Sequence, residues 1–141
     1  MAIQLEKLTY EYMQGSALSH KAVAEVDLTV EAGEFLGLIG HTGSGKSTLV
    51  QLMGGLLQPT AGRVLVEGLD MGDKKQRAQA RRHVGLVFQY PEYQLFEETV
   101  ARDVAYGPRN MGLGEEEIQR RVDTALGLVG LPPQQFGEKS P

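Results

Sequence analysis

The sequence predicts an α/β fold, and three features carry that expectation. Residues 35–39 form a nearly continuous apolar run, the pattern of a strand buried on both faces. A glycine-rich loop follows at residues 40–48, and then Leu49, Val50, Leu52 and Met53 recur at helical spacing.

Taken in order, Ile3, Leu5, Leu8, Tyr10 and Tyr12 lie in a mostly alternating run rich in strand formers, broken by Gln14-Gly15-Ser16. This predicts a strand ending near Tyr12. Val23, Val26, Leu28 and Val30 alternate with polar neighbours over residues 22–30, which predicts a second half-buried strand closed by Glu31-Ala32-Gly33. The buried-type strand at 35–39 feeds directly into the loop. Gly54-Gly55 closes the helix after it, and residues 58–62 read as a turn before a short strand at 63–67.

The loop reads Gly40, His41, Thr42, Gly43, Ser44, Gly45, Lys46, Ser47, Thr48, which satisfies Gly-x-x-x-x-Gly-Lys-Ser/Thr in full. Glycines let a backbone turn its N–H groups inward around phosphate oxygens. Lys46 adds a point charge near β- and γ-phosphates, and Ser47 offers a hydroxyl to the Mg²⁺ that travels with a nucleotide. The start of the following helix aims its positive end at the same phosphates. Strand, loop and helix in this order make residues 40–48 a phosphate-binding P-loop.

In the second half, residues 73–83 have helical propensity and carry Lys74, Lys75, Arg77, Arg81 and Arg82. No aromatic residue interleaves them for base stacking, so they read as a solvated face. Residues 84–88 form a second buried-type strand running into Gln89, and α/β ligands sit at the carboxyl ends of strands. Residues 90–97 read as an irregular aromatic loop, and residues 98–106 as a short helix stopped by Gly107-Pro108. Residues 115–129 form an amphipathic helix with Ile118, Val122, Ala125, Leu126 and Val129 on one face, ended by Leu131-Pro132-Pro133. Residues 134–141 show no periodicity.

Composition bounds the function. A chain of 141 residues suffices for one domain or a piece of one, and the net charge of −4 argues against a general nucleic-acid binder. There is no cysteine, so disulfides, thiolate catalysis and Cys-based metal sites are excluded. The first fifteen residues have no signal-peptide core, and no apolar run reaches the length of a membrane span. Any membrane link is expected through a partner.

The strand end at Tyr12, the loop at 40–48 and the segment Val84-Gly85-Leu86-Val87-Phe88-Gln89-Tyr90-Pro91 together resemble the N-terminal half of an ABC transporter ATP-binding subunit. With residues 88–100, the wording is similar to the second of the paired ATPase subunits of energy-coupling factor importers, which take up vitamins and transition-metal ions. The resemblance covers essentially the whole chain. It implies an antiparallel β subdomain, part of a parallel core sheet, and the start of a helical subdomain. It implies that Tyr12 stacks on adenine, with Tyr10 as the competing candidate. It further implies that Gln89 reaches Mg²⁺ and the attacking water, a double task an amide can perform. His41 contributes mainly backbone, and His20 and His83 read as surface residues. The implied ligands are ATP and Mg²⁺. The implied partners are a transmembrane coupling subunit, a paired ATPase subunit in a heterodimer and, indirectly, a substrate-binding membrane protein. No nucleic acid is expected, and the implied location is the cytoplasmic face of the cell membrane, held there peripherally.

The family also uses a Leu-Ser-Gly-Gly-Gln signature, an apolar strand ending in Asp-Glu and a later switch histidine, and none occurs in residues 1–141. The expectation is therefore a partial nucleotide-binding domain over 1–141, truncated before the signature. Alone it should not turn over ATP, since in-line phosphoryl transfer needs both charge stabilisation and an oriented water. It should also be poorly stable, with unpaired strand edges and exposed apolar surface. Two other readings share the loop: a soluble small-molecule kinase or GTPase, and a non-transport ABC-type ATPase acting on DNA or ribosomes. The guanine-specificity Asn-Lys-x-Asp is absent, and Gln89 followed by the aromatic loop favours the transporter.

Overall fold

A computed structural model describes residues 2–141, in two compact units that divide between Leu86 and Val87. The first unit is built on a four-stranded sheet in the order β2-β1-β3-β4: β1 is Ile3–Tyr12, β2 His20–Val30, β3 Ala61–Val66 and β4 Leu69–Asp70. Every pairing is antiparallel. Leu5 and Leu8 both face inward although they are three residues apart, because the irregularity between them shifts the alternation by one residue, and Ile3 stands opposite both Val30 and Val66. The β1–β2 register shifts between Leu5 and Leu8 and again before Tyr10. Lys7 and Glu25 take positive φ at these bulges. Side chains pin them: Lys7 N donates to Asp27 Oδ1 at 2.8 Å, and Glu25 N donates to Thr9 Oγ1 at 3.0 Å.

Helix α1, Lys46–Met53, lays Leu49 and Leu52 on the sheet residues Leu5, Leu8, Val23, Val64 and Val66. Burying side chains of this size is worth about 1.5–3 kcal/mol each, so the core fixes α1 against the sheet. The loop preceding α1 is thereby held at one end. Gly54 ends the helix, and Gly55 follows at φ 69°. Helix α2, Lys74–Ala80, starts at Asp73, whose carboxylate accepts from Lys75 N and Gln76 N. Its cations Lys74, Lys75 and Arg77, with Arg81 and Arg82 beyond it, make no ion pair among the described residues, as a solvated face does.

Two sequence expectations change here. Residues 35–39 and 84–88 form no strand, and the parallel part of the sheet is not among the described pairings. A strand exists through its ladder, and neither run has a neighbour to complete one. Phe35 is 99% exposed and Ile39 97%.

In the second unit a 3₁₀ turn, Pro91–Gln94, precedes α3 (Val100–Asn110), α4 (Glu115–Leu128) and the single turn α5 (Pro133–Phe136). Thr99 caps α3 by accepting from Arg102 N. The C-terminal segment satisfies two further first-turn donors, since Val100 N and Ala101 N donate to the carbonyls of Lys139 and Gly137, both at 2.9 Å. Ala105, Ile118, Val122 and Leu126 make its core. Helix α3 does not stop at Gly107-Pro108. Proline disfavours a helical residue before it through clashes with that residue's backbone N–H and its Cβ, and Gly107 lacks the Cβ. Placed in the last turn, Pro108 removes a single intrahelical bond. Ala125 on α4 and Val129 just past its end are exposed, so the apolar face is narrower than the sequence predicted. Residues 134–136, which show no periodicity in sequence, close into α5 with Pro133 as its first residue.

Candidate phosphate-binding site

The loop before α1 takes its shape from two glycines. Gly43 and Gly45 have φ of 83° and 86°, in the left-handed region open to glycine. At Gly45 a second constraint applies, because a Cβ there would lie 2.2 Å from the carbonyl oxygen of Ala22 on β2. The loop thus rests on the sheet at a point where only a hydrogen fits. Successive N–H groups in such a bend form an anion-binding concavity. No side chain caps α1, and its first turn carries no acidic residue, so nothing competes with an anion for the positive helix end.

Lys46 supplies the charge. Its Nζ donates to the carbonyls of Gly40 at 2.6 Å and His41 at 2.8 Å, and to Ser44 Oγ at 3.4 Å. The ammonium therefore sits within the bend. Ser47 is exposed on the first turn of α1, while Thr48 is buried and its Oγ1 lies 3.1 Å from the hydroxyl of Tyr12. Tyr12, at the end of β1, is partly exposed and packs edge-on to Tyr10, with ring centroids 4.8 Å apart. The imidazole Nδ1 of His41 lies 2.8 Å from the carbonyl oxygen of its own neighbour Thr42.

Beside the loop runs a cleft of about 300 Å³ walled by β2 residues, by Leu38 to Gly40, by Leu49 and by Ser44, Gly45 and Lys46 of the loop itself. Its walls are mostly carbon, and neither Ser47, Thr48 nor Tyr12 lines it. One wall of the cleft is therefore the loop, with the Lys46 side chain, and the opposite wall is apolar.

Gln89 lies in the second unit, exposed, and is followed by Tyr90 with φ 61°. Sequence reasoning missed how the aromatic stretch after it is held. Phe96 N and Glu97 N both donate to Asp103 Oδ1 at 3.2 Å, and Phe96 meets Tyr106 edge-on at 4.8 Å. An aspartate in the first turn of α3 reads in sequence as a helix-dipole partner, which conceals this second use.

A glycine nest, a lysine folded into it and hydroxyls on an uncapped helix start have the geometry of a P-loop. The chain belongs to the ABC transporter family, which it matches over residues 23–139. It is 54% identical, along its whole length, to the energy-coupling factor transporter ATP-binding protein EcfA2 of Clostridium acetobutylicum, of which it covers 50%. It is 58% identical over 134 residues to the protein of the same name from Symbiobacterium thermophilum, covering 46% of it. The chain thus spans about half the length of these curated relatives. Among solved structures, it superposes with a TM-score of 0.80 and 27% identity on the ATP-binding cassette MJ0796, a dimer in a post-hydrolysis state bound to ADP and phosphate, covering 99% of this chain and 61% of that one. It superposes with a TM-score of 0.77 and 35% identity on cbiO1 of Clostridium perfringens, part of the ABC transporter complex cbiONQ, covering 97% and 53%. These neighbours share the ABC ATPase fold.

Proposed function

We propose that residues 1–141 are the N-terminal part of the nucleotide-binding domain of an energy-coupling factor type ABC importer. The full-length protein binds and hydrolyses ATP and couples this to uptake of a vitamin or metal ion. The observation that carries the reading is the bend at residues 40–48: a nest with two left-handed glycines, the Lys46 ammonium inside it, and an uncapped helix start behind it. Backbone donors of Gly40 to Gly45 surround the phosphates, Lys46 neutralises them, and Ser47 and Thr48 add hydroxyl donors and acceptors. The Tyr12 ring offers a π face at the end of β1 for the adenine base.

The loop suits a magnesium nucleotide: a hydroxyl oxygen is a hard ligand, and Ser47 is the loop residue that would hold the ion. When bound, Mg²⁺ neutralises phosphate charge that this chain's single loop lysine meets only in part. The relatives' names support the energy-coupling assignment, and the dimeric cassette MJ0796 supports a paired ATPase subunit. The remaining partners are a transmembrane coupling subunit and, through it, a substrate-binding membrane protein. Among the described residues no helix is long and apolar enough to cross a membrane, so the link to the bilayer in this reading is peripheral.

The test is co-purification of the full-length protein with a transmembrane subunit encoded beside it, followed by uptake assays in vesicles. ATP-dependent uptake by the assembly is the expected result. A full-length protein that phosphorylates a small molecule and captures no membrane subunit would show the reading to be wrong.

A further inference from the structure

We propose that Tyr12 acts on the phosphates as well as on the base, as a positioning residue: its hydroxyl orients Thr48 so that Thr48 donates its proton to a polyphosphate oxygen. The inference rests on the phosphate-site reading above. It starts from one contact, Tyr12 Oη to Thr48 Oγ1 at 3.1 Å, which joins the end of β1 to the first turn of α1 across 36 residues of sequence.

Thr48 is buried, with 8% of its surface exposed, so its hydroxyl has few partners to choose from. A hydroxyl carries one proton and two lone pairs. Between Tyr12 and Thr48 alone, either oxygen can donate. A phosphate oxygen can only accept, which removes that ambiguity: Thr48 gives its proton to the anion, and Tyr12 must donate to Thr48. A phenol is the more acidic of the two groups and the better donor, and such a chain polarises in the direction of the anion. Tyr12 is placed to do this. It pairs with His20 across the sheet, and its ring is held edge-on by Tyr10 at an interplanar angle of 86°. The hydroxyl that reaches Thr48 is therefore carried by a strand and a ring contact and not by a loop, which is the condition for orienting a neighbour.

A base-free ligand separates this role from stacking. Magnesium tripolyphosphate and, in parallel, MgATP are titrated into the full-length protein by calorimetry. Tyr12→Phe keeps the ring and is expected to weaken tripolyphosphate binding about fivefold, the cost of one net hydrogen bond. Thr48→Val is expected to weaken it about tenfold or more, since it removes a bond to a charged group. The double variant is expected to bind no more weakly than Thr48→Val alone, because the two residues act as one unit. Thr48→Ser, which keeps the hydroxyl, should restore most of the affinity and shows that the valine variant is not merely misfolded. Unchanged tripolyphosphate affinity in Tyr12→Phe overturns the proposal, as does tighter MgATP binding by that variant, which would mean that the bond competes with stacking. Lys46→Ala tests the underlying reading separately: if it binds both ligands as well as the wild type, the phosphate site itself is wrong, whatever Tyr12 does.

Discussion

Strands β1 and β2 and the run at residues 35–39 are built from the same strand-forming residues and meet opposite fates. In β1, Leu5 and Leu8 are buried between two hydrogen-bonded neighbours and the α1 helix. Phe35 and Ile39, as apolar as any residue in β1, stand in solvent. The difference lies in partners, not in composition. A half-buried antiparallel strand finds its neighbours through short connections, as β1 finds β2 across the turn at residues 13–19. A run apolar on both faces needs a strand on each side and layers above and below, and the described residues supply no paired strand for 35–39.

The largest effect should come from breaking the paired region. Leu8→Ala empties a fully buried position and is expected to cost about 2–5 kcal/mol of stability, read from the denaturant midpoint of the full-length protein. A smaller loss is expected where the loop touches the sheet. Gly45→Ala forces a Cβ into the Ala22 carbonyl at a left-handed φ, costing about 1–3 kcal/mol and weakening ATP binding together with stability. In the unpaired run the outcome inverts. Phe35→Ser in chain 1–141 should shift stability by no more than about 0.5 kcal/mol while lowering light scattering, because the exposed ring contributes to association and not to the core. Wild-type 1–141 melting as a reversible, cooperative monomer would contradict that contrast.

The smallest effect concerns pH and the surface of α4. Hydrogen bonds from Arg120 first, then Arg121, push the Glu117 carboxyl down from its ordinary 4.5 to about 2. A depressed carboxyl stabilises the fold above its unfolded value and loses that contribution as pH falls through the folded one. Acid titration should therefore remove a slight stabilisation between pH 4.5 and about 2, and Glu117→Gln should flatten that part of the stability profile. Exposure of the group keeps the effect small.

Much of this was legible in the sequence because the signals were local. Alternation placed β1 and β2, Gly54-Gly55 ended α1, and Gly40 to Thr48 marked the loop with its lysine and hydroxyls. Signals that needed a distant partner were not legible. Whether residues 35–39 form a strand depends on neighbours that no periodicity encodes, and the Tyr12–Thr48 contact joins two motifs that sequence treats separately. Gly107-Pro108 misled for a local reason, since a stop rule founded in part on a Cβ clash is weaker at a glycine.

The central claim, that residues 40–48 cradle a phosphate chain, is tested most directly by titrating MgATP into the full-length protein and its Lys46→Ala variant. Lys46 holds its ammonium in the bend at 2.6 Å from the Gly40 carbonyl, so its removal is expected to weaken binding by at least about tenfold. Equal affinity in a folded Lys46→Ala protein would contradict it.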